Sequence, residues 1–344
     1  IYAGLPGFSM RARAKITTDE VRTGIELAHA SGRKVYLAFN LFAHERDFEN
    51  MSRVSDVINY LRPDALIISD PGVMLWVREH HPDMPIHVST QANICSAASV
   101  KFWQNAGARL CVLAREVSHP EFKIIREKCP DMGLEIFVHG AMCMSYSGRC
   151  LLSNDLCLMP RLGEVIASRP DSLKIEGRNR SEYYVGAVVH AYRAALDAYA
   201  RNPDSFDPAP FMAELNRLEV RGYTTAFFDG PAGPDAQNYE TARSTSDYHA
   251  AGVITATDNE KITLELRNEI RSGDTINFIV PRSDVNISVK LEKIINAKNG
   301  DALPKLSAGQ RNSLLIPRAW ICGTSDALVP YTLAYKTKIS QMSV

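Results

Sequence analysis

Leu134-Glu135-Ile136-Phe137-Val138-His139-Gly140-Ala141-Met142-Cys143-Met144-Ser145-Tyr146-Ser147-Gly148-Arg149-Cys150 is the stretch on which the reading of this chain turns. Its first part, Leu134 to Val138, is a short apolar run with the length of a buried strand. Its second part gathers two thiols, a His, an Arg and two Gly where that strand ends. A hydrophobic core needs none of this polarity. Polar loops held by a rigid scaffold are where binding and catalysis concentrate, and paired thiolates suit soft metal ions or clusters.

Working outward, the same kind of run recurs at Ile1–Ala3, Val35–Phe39, Ala65–Ser69, Ile86–Ser89, Leu110–Ala114 and Ser172–Glu176. Between most of them, apolar residues fall at helical spacing, as in Val21-Gly24-Ile25-Ala28 and Val54-Val57-Ile58-Leu61. Asp19-Glu20 and Asp47-Glu49 sit near expected helix starts, where carboxylates oppose the helix dipole. This alternation predicts an α/β fold, a parallel sheet covered by helices. Seven strands are countable. A strand upstream of Ile1 completes an eight-stranded (β/α) TIM-like barrel, and residues before Ile1 are expected because the chain does not open on Met. A doubly wound open sheet has the same periodicity and stays open as an alternative.

A long helix is expected over Ser181–Arg201, with Tyr184, Val188, Ala191, Tyr192 and Leu196 at packing spacing. Pro203 and Pro208-Ala209-Pro210 then break the pattern. From Ala251 the apolar residues alternate, with turn signals such as Ser272-Gly273-Asp274 between runs. That pattern predicts a small C-terminal β-barrel. The expected organisation is a barrel domain over 1–202, a connector over 203–247 and a β-barrel domain over 248–344.

The formal net charge is zero, so the total neither argues for nor excludes a nucleic-acid partner. No apolar run approaches the length of a membrane span, and no secretion signal is visible. Seven scattered Cys do not resemble a disulfide framework, and a reducing cytoplasm is the expected location. The core reading is preferred for Cys95, Cys111 and Cys129, and a structural one for Cys322.

Polar residues cluster just after the apolar runs: Asn40; Asp70; Thr90, Gln91 and Asn93; Arg115 and Glu116; His139 to Cys150; Lys174, Glu176 and Arg178. Singly, each has an ordinary reading as a turn or cap. Together, in a (β/α) barrel, they converge on the C-terminal mouth, where active sites lie. Cys143 and Cys150 alone are an incomplete metal site, since zinc or an iron–sulfur cluster takes four ligands. His139 beside Cys143 is a poor candidate for a thiol–base pair, because such pairs are usually distant in sequence. No zinc-protease, nucleophile-elbow, P-loop or dinucleotide motif is present.

The cysteine loop, together with Ser172-Leu173-Lys174-Ile175-Glu176-Gly177-Arg178 and Tyr183-Tyr184, resembles the collagenase-like peptidase family of unassigned catalytic type, family U32. Phe8 to Ala14, Ser89-Thr90-Gln91-Ala92-Asn93, Arg221-Gly222-Tyr223-Thr224-Thr225, Gly273-Asp274 and Asn296-Ala297-Lys298 match the same family. The C-terminal β part makes the chain most similar to the bacterial tRNA hydroxylation members. The resemblance implies a cytoplasmic enzyme that converts wobble uridine of tRNA to 5-hydroxyuridine, without dioxygen and with prephenate as co-substrate. It also implies a 4Fe-4S iron–sulfur cluster in the barrel mouth.

On that reading Cys143 and Cys150 are metal ligands, while His139, Glu176 and Arg178 are catalytic. Arg115, Arg149, Gln91, Asn93 and Lys174 bind substrate, the Arg forks suiting a small dicarboxylate. The partners are tRNA and the anionic co-substrate, with no membrane, and a partner protein or a second copy of the chain fits as well. The alternatives are a collagenase-like peptidase and a cluster-bearing scaffold subunit without activity of its own. One departure stands out. The family pattern has a segment with two further Cys after Leu151-Leu152-Ser153, whereas here Ser153-Asn154 runs straight into Asp155-Leu156-Cys157. Cys157 matches neither missing ligand, so either the protein has lost that segment or, the reading preferred, residues are missing between Ser153 and Asp155.

Overall fold

The structure, a computed structural model, describes residues 1–5, 16–41, 43–141, 154–177, 180–233, 246–281, 287–321 and 325–337. The first part of the chain carries β1 (Tyr2–Gly4), β2 (Tyr36–Phe39), β3 (Ala65–Ile68), β4 (Ile86–Val88), β5 (Leu110–Val112) and β6 (Gly133–Ala141). β7 (Asp155–Cys157), β8 (Ser172–Ile175) and β9 (Tyr223–Thr224) follow. β1 to β6 pair in chain order, all parallel, and β8 adds to β6, also parallel. Each of these strands is one of the seven apolar runs. β3 is buried at every position, as expected of a strand covered on both faces.

The intervening helices are α1 (Thr18–Ala30), α2 (Glu45–Phe48), α3 (Met51–Leu61), α4 (Pro71–His80), α5 (Ala97–Asn105), α6 (His119–Lys128), α7 (Leu162–Ala167), α8 (Glu182–Arg201) and α9 (Ala209–Leu215). Their starts follow the chemistry of orphan backbone N–H groups. Thr17 and Glu20 form a capping box on α1, and Asp70 accepts from the Val73 N–H ahead of Pro71. Asp70 therefore serves as a helix cap, the ordinary role of a polar residue after a strand. α8 begins at a Ser181 cap and buries Tyr184, Ala187, Val188, Ala191, Tyr192 and Ala195 as one stripe.

Two features were not legible in advance. β7 runs antiparallel to β6, with Ala141 opposite Asp155 and His139 opposite Cys157. The connector is not wholly irregular, since it contains α9, and its β9 joins the main sheet through β7. Both strands are too short to leave a periodic signal.

No pairing joins β8 to β1 among the described residues, so barrel closure is not seen. The sheet is nevertheless curled. The Tyr2 hydroxyl of β1 donates to Glu135 of β6, and Lys174 of β8 lies 3.8 Å from the centre of the Tyr2 ring.

The C-terminal part is a mainly antiparallel β structure. Its strands are β10 (Tyr248–Thr257), β11 (Lys261–Leu266), β12 (Ile270–Arg271), β13 (Thr275–Ile279), β14 (Ile287–Lys290), β15 (Ile294–Asn296), β16 (Ala302–Leu303), β17 (Lys305–Leu306), β18 (Ser313–Pro317) and β19 (Leu333–Thr337). Eight of them form one curled sheet ordered β14-β13-β19-β10-β11-β18-β15-β16 around a separate core that includes Ile262, Leu264, Phe278 and Ile316. Ile262, Leu264 and Leu266 face that core in the period of two that marked this region in the sequence.

Gly140 shows how tightly the β6–β8 junction is drawn. Its φ is +117°, and a Cβ there would stand 2.3 Å from the Glu176 carbonyl oxygen. Gly140→Ala should therefore cost about 3 kcal/mol or more, from left-handed strain plus a backbone clash. Urea unfolding measures it, and a loss below about 1 kcal/mol would mean that the junction can shift.

Candidate active site

The concave side of the parallel sheet holds charged and aromatic groups where a barrel of this kind is ordinarily filled by branched aliphatics. Glu135, in the middle of β6, is almost fully buried. It pairs with Lys174 (Nζ to Oε1, 3.1 Å) and accepts from the Ser172 hydroxyl at 2.6 Å and from Tyr2. Burial alone pushes the Glu135 carboxyl up. The Lys174 ammonium and the Ser172, Tyr2 and Lys174 hydrogen bonds overcome this and hold it below its ordinary value. Burial pulls the Lys174 ammonium down, against the attraction of Glu135 and Glu176.

A second pair lies beside the first. Arg115 Nη2 is 3.8 Å from Glu176 Oε2, and its guanidinium covers the Phe137 ring at 3.7 Å. Lys174 lies 5.5 Å from the centre of the same ring. Phe137 is thus an aromatic surface shared by both cations, in cation–π contact with Arg115. The structure brings together Arg115, Lys174 and Glu176 from the sequence-derived set and adds Tyr2, Glu135, Phe137 and Ser172. The charges of Arg115, Lys174, Glu135 and Glu176 cancel. A dianion entering here must therefore displace one of the carboxylates or meet further cations.

His139 lies elsewhere. Strict alternation along β6 would put it on the side of Phe137, but the register slips between these two residues. Its ring is fully buried against Tyr184, Tyr192 and Tyr223, with centroids 5.9, 5.6 and 5.3 Å away. Both ring nitrogens lack a hydrogen-bond partner, as does the Tyr184 hydroxyl. Burial, with Arg180 nearby, lowers the His139 pKa to about 3, so the ring is neutral at ordinary pH.

Asp155, at the start of β7, is fully buried between two guanidiniums: Arg180 reaches Oδ2 at 2.6 Å and Arg221 reaches Oδ1 at 2.7 Å. Neither Asp155 nor Glu135 was singled out from sequence. Glu135 was hidden inside an apolar run. Asp155 stood beside the expected break, where its only signal was a carboxylate heading a strand that is buried at every position.

Gln91 lies in a short 3-10 turn, Thr90–Ala92, capped by the Ser89 hydroxyl. Asn93 ends that turn at φ 51°, a left-handed position that Asn tolerates, and is exposed. Arg149, Arg178, Cys143 and Cys150 lie outside the described residues, as do Cys322 and the Ser153 side of the expected break. Cys95 is exposed, which corrects its assignment to the core, whereas Cys111, Cys129 and Cys157 are buried. Burial pushes the thiols of Cys111 and Cys157 up to about 12 and 11, the opposite of what a thiolate ligand needs. No metal-holding group of three or more His, Cys, Asp or Glu occurs among the described residues, and none of their helices is long and apolar enough to cross a membrane.

Comparison with known proteins places these features in a family. The model of Peptidase family U32 matches residues 1–154 and 153–238, two pieces that meet where the cysteine loop rejoins the sheet. The tRNA hydroxylation protein P of Escherichia coli is 32% identical over 407 aligned residues, covering 92% of this chain and 88% of the relative. That alignment is longer than the 344 residues of the chain, so the relative carries residues with no counterpart here. The Haemophilus influenzae protein of the same name is 31% identical, with the same coverage. A 23S rRNA 5-hydroxycytidine synthase of Escherichia coli is 24% identical over 83% of this chain and half of its own length.

The buried imidazoles set a pH dependence. His139 titrates at about 3 and His87 at about 4 in the folded chain, against 6.5 when unfolded. Between these values the unfolded chain binds protons that the folded chain refuses. Stability is therefore complete above pH 6.5 and falls as pH drops toward 4 and 3, by about 1.4 kcal/mol per pH unit for each group. His139→Phe should remove one such group. The gap in unfolding free energy between variant and wild type should change by about 2 kcal/mol between pH 7 and pH 5 in the variant's favour. Parallel pH profiles would show that His139 is not a neutral, buried ring.

Proposed function

The chain belongs to peptidase family U32, and we propose that it is an RNA-modifying enzyme of that family that hydroxylates wobble uridine of tRNA to 5-hydroxyuridine. The observation that carries this reading is the similarity to tRNA hydroxylation proteins through nearly the whole chain. The site supports it. Cations, carboxylates and an aromatic face gather on the concave side of a curled sheet, an arrangement suited to holding a small polar molecule. The contacts of Tyr2 with Glu135 and Lys174 across that side also support an eight-stranded (β/α) barrel as the full form of the sheet. A peptidase reading finds less support. Among the described residues, burial holds the Cys111 and Cys157 thiols protonated, and the most buried histidine has no partner to activate.

Prephenate is the co-substrate we assign, and Arg115 and Lys174 are the groups that hold its carboxylates. They exchange their internal carboxylate partners for those of the ligand, and Arg149 and Arg178 supply the further charge. Glu176, the more accessible of the two paired carboxylates, exchanges a proton with the bound molecule. Phe137 keeps water from the inner face.

We assign an iron–sulfur cluster to Cys143 and Cys150, and such a cluster supplies one-electron chemistry when bound. The described cysteines do not complete its ligand set, because Cys111, Cys129 and Cys157 are buried in cores and Cys95 stands alone, exposed in the loop before α5.

In a strain lacking the gene, 5-hydroxyuridine derivatives should disappear from tRNA nucleosides measured by mass spectrometry. The wild-type gene should restore them. Lys174→Met should restore less than about one hundredth of the activity, since it leaves Glu135 buried and unpaired and removes the ligand cation. Unchanged nucleosides in the deletion strain would overturn the assignment. Anaerobic iron loading tests the cluster separately: iron uptake by the wild type that Cys143→Ala abolishes is the expected result, and no uptake by the wild type defeats it.

A further inference from the structure

The two halves of the chain meet along a cleft that the proposed chemistry does not use. It encloses about 480 Å³, within the usual range of small-molecule sites. One wall is the start of α8, and the other is formed by β10 and the turn after β11. Three guanidiniums line it, Arg180, Arg217 and Arg267, against two carboxylates, Glu182 and Glu219. Tyr183, Tyr184 and Tyr248 also line it, the first two largely buried and Tyr248 partly exposed.

The rim carries a guanidinium fixed between two carboxylates. Arg267 bridges the two halves, with Nε on Glu182 of α8 and Nη1 on Glu265 of β11. Its Nη2 has no partner among the described residues, which leaves a donor held in place at the mouth. Next to it, Asn268 spends its Nδ2 on the Ala250 carbonyl at 2.9 Å, and its Oδ1 stays available as an acceptor. A fixed guanidinium donor, an amide acceptor and the partly exposed Tyr248 in one cleft match a phosphate, a base edge and a base face. Arg180 ties the cleft to the chemistry: it lines the inner wall, covers the Tyr184 ring at 4.9 Å, and holds Asp155, the residue that closes the cysteine loop.

We propose that this cleft seats a nucleotide of single-stranded RNA, with Arg267 on a phosphate and Asn268 on a base edge. The proposal rests on the RNA reading above and assigns the C-terminal β structure its part in it. Affinity in such a site comes mainly from phosphate contacts and stacking and depends on salt.

The test is fluorescence anisotropy of the full chain with a short single-stranded RNA, and with the same sequence as a duplex, across salt concentrations. Arg267→Glu should weaken single-strand binding about tenfold and lower the salt slope by about one. Arg267→Gln should lose about threefold, and Asn268→Ala should lose affinity without changing the slope. Arg271→Glu, on an exposed arginine of β12 outside the cleft, should bind as the wild type does. Thermal unfolding confirms that each variant is folded. If wild type binds RNA and Arg267→Glu binds it equally well, the cleft assignment falls and the RNA reading survives. If Arg271→Glu loses as much as Arg267→Glu, the effect is general charge and the cleft assignment also falls. If wild type binds no RNA but binds a collagen-like peptide in an Arg267-dependent way, both readings are overturned in favour of a peptide groove.

Discussion

The ion pair between Glu135 and Lys174 is the constraint around which the parallel sheet is organised. Removing a carboxylate and an ammonium from water costs several kcal/mol each, and their mutual attraction offsets it only when the remaining lone pairs and protons are satisfied. Here Ser172 and Tyr2 both donate to Oε2, Oε1 faces the Lys174 ammonium alone, and the Tyr2 ring and Phe137 lie against that ammonium. The partners come from β1, β6 and β8, so satisfying one pair fixes three strands that are distant in sequence. A row of branched aliphatics would pack this space at lower cost. The polar arrangement forgoes that stability and leaves charge in the interior.

How much of this was legible depended on the length scale of each feature. The parallel strands were, because a strand buried on both faces is a continuous apolar run bounded by turns. Lys174 and Glu176 stood out as charges in and after such a run. Glu135 did not, because one carboxylate inside an apolar run reads as an edge or a surface position until its partner is known. His139 was drawn toward the site by its place beside the loop, and the register slip after Phe137 turned it the other way. That slip is a tertiary property with no local signature. β7 and β9, of three and two residues, carry too few positions to show a period.

The helix α8 links the parts. Its buried stripe packs in one core with Val138 of β6, Leu156 of β7 and Leu158, where the Tyr192 hydroxyl donates to the Val138 carbonyl at 2.7 Å. Its exposed first turn reaches the C-terminal structure through Glu182 and Arg267. Arg217, in the connector that follows, donates to the Tyr335 hydroxyl of β19 at 2.8 Å. The β structure is thereby positioned by polar contacts at the edge of an apolar seam, an anatomy closer to a specific interface than to a continuous core.

The antiparallel pairing of β6 with β7 has a consequence for how this family can vary. Ala141 lies opposite Asp155, so the chain leaves the sheet and returns to it at neighbouring points, and the return is clamped by Arg180 and Arg221. A loop whose ends are already held together pays little for extra length, about 0.6 kcal/mol for each doubling. The length of chain between the two strands can therefore change at small cost while the β6–β7 pairing stays the same.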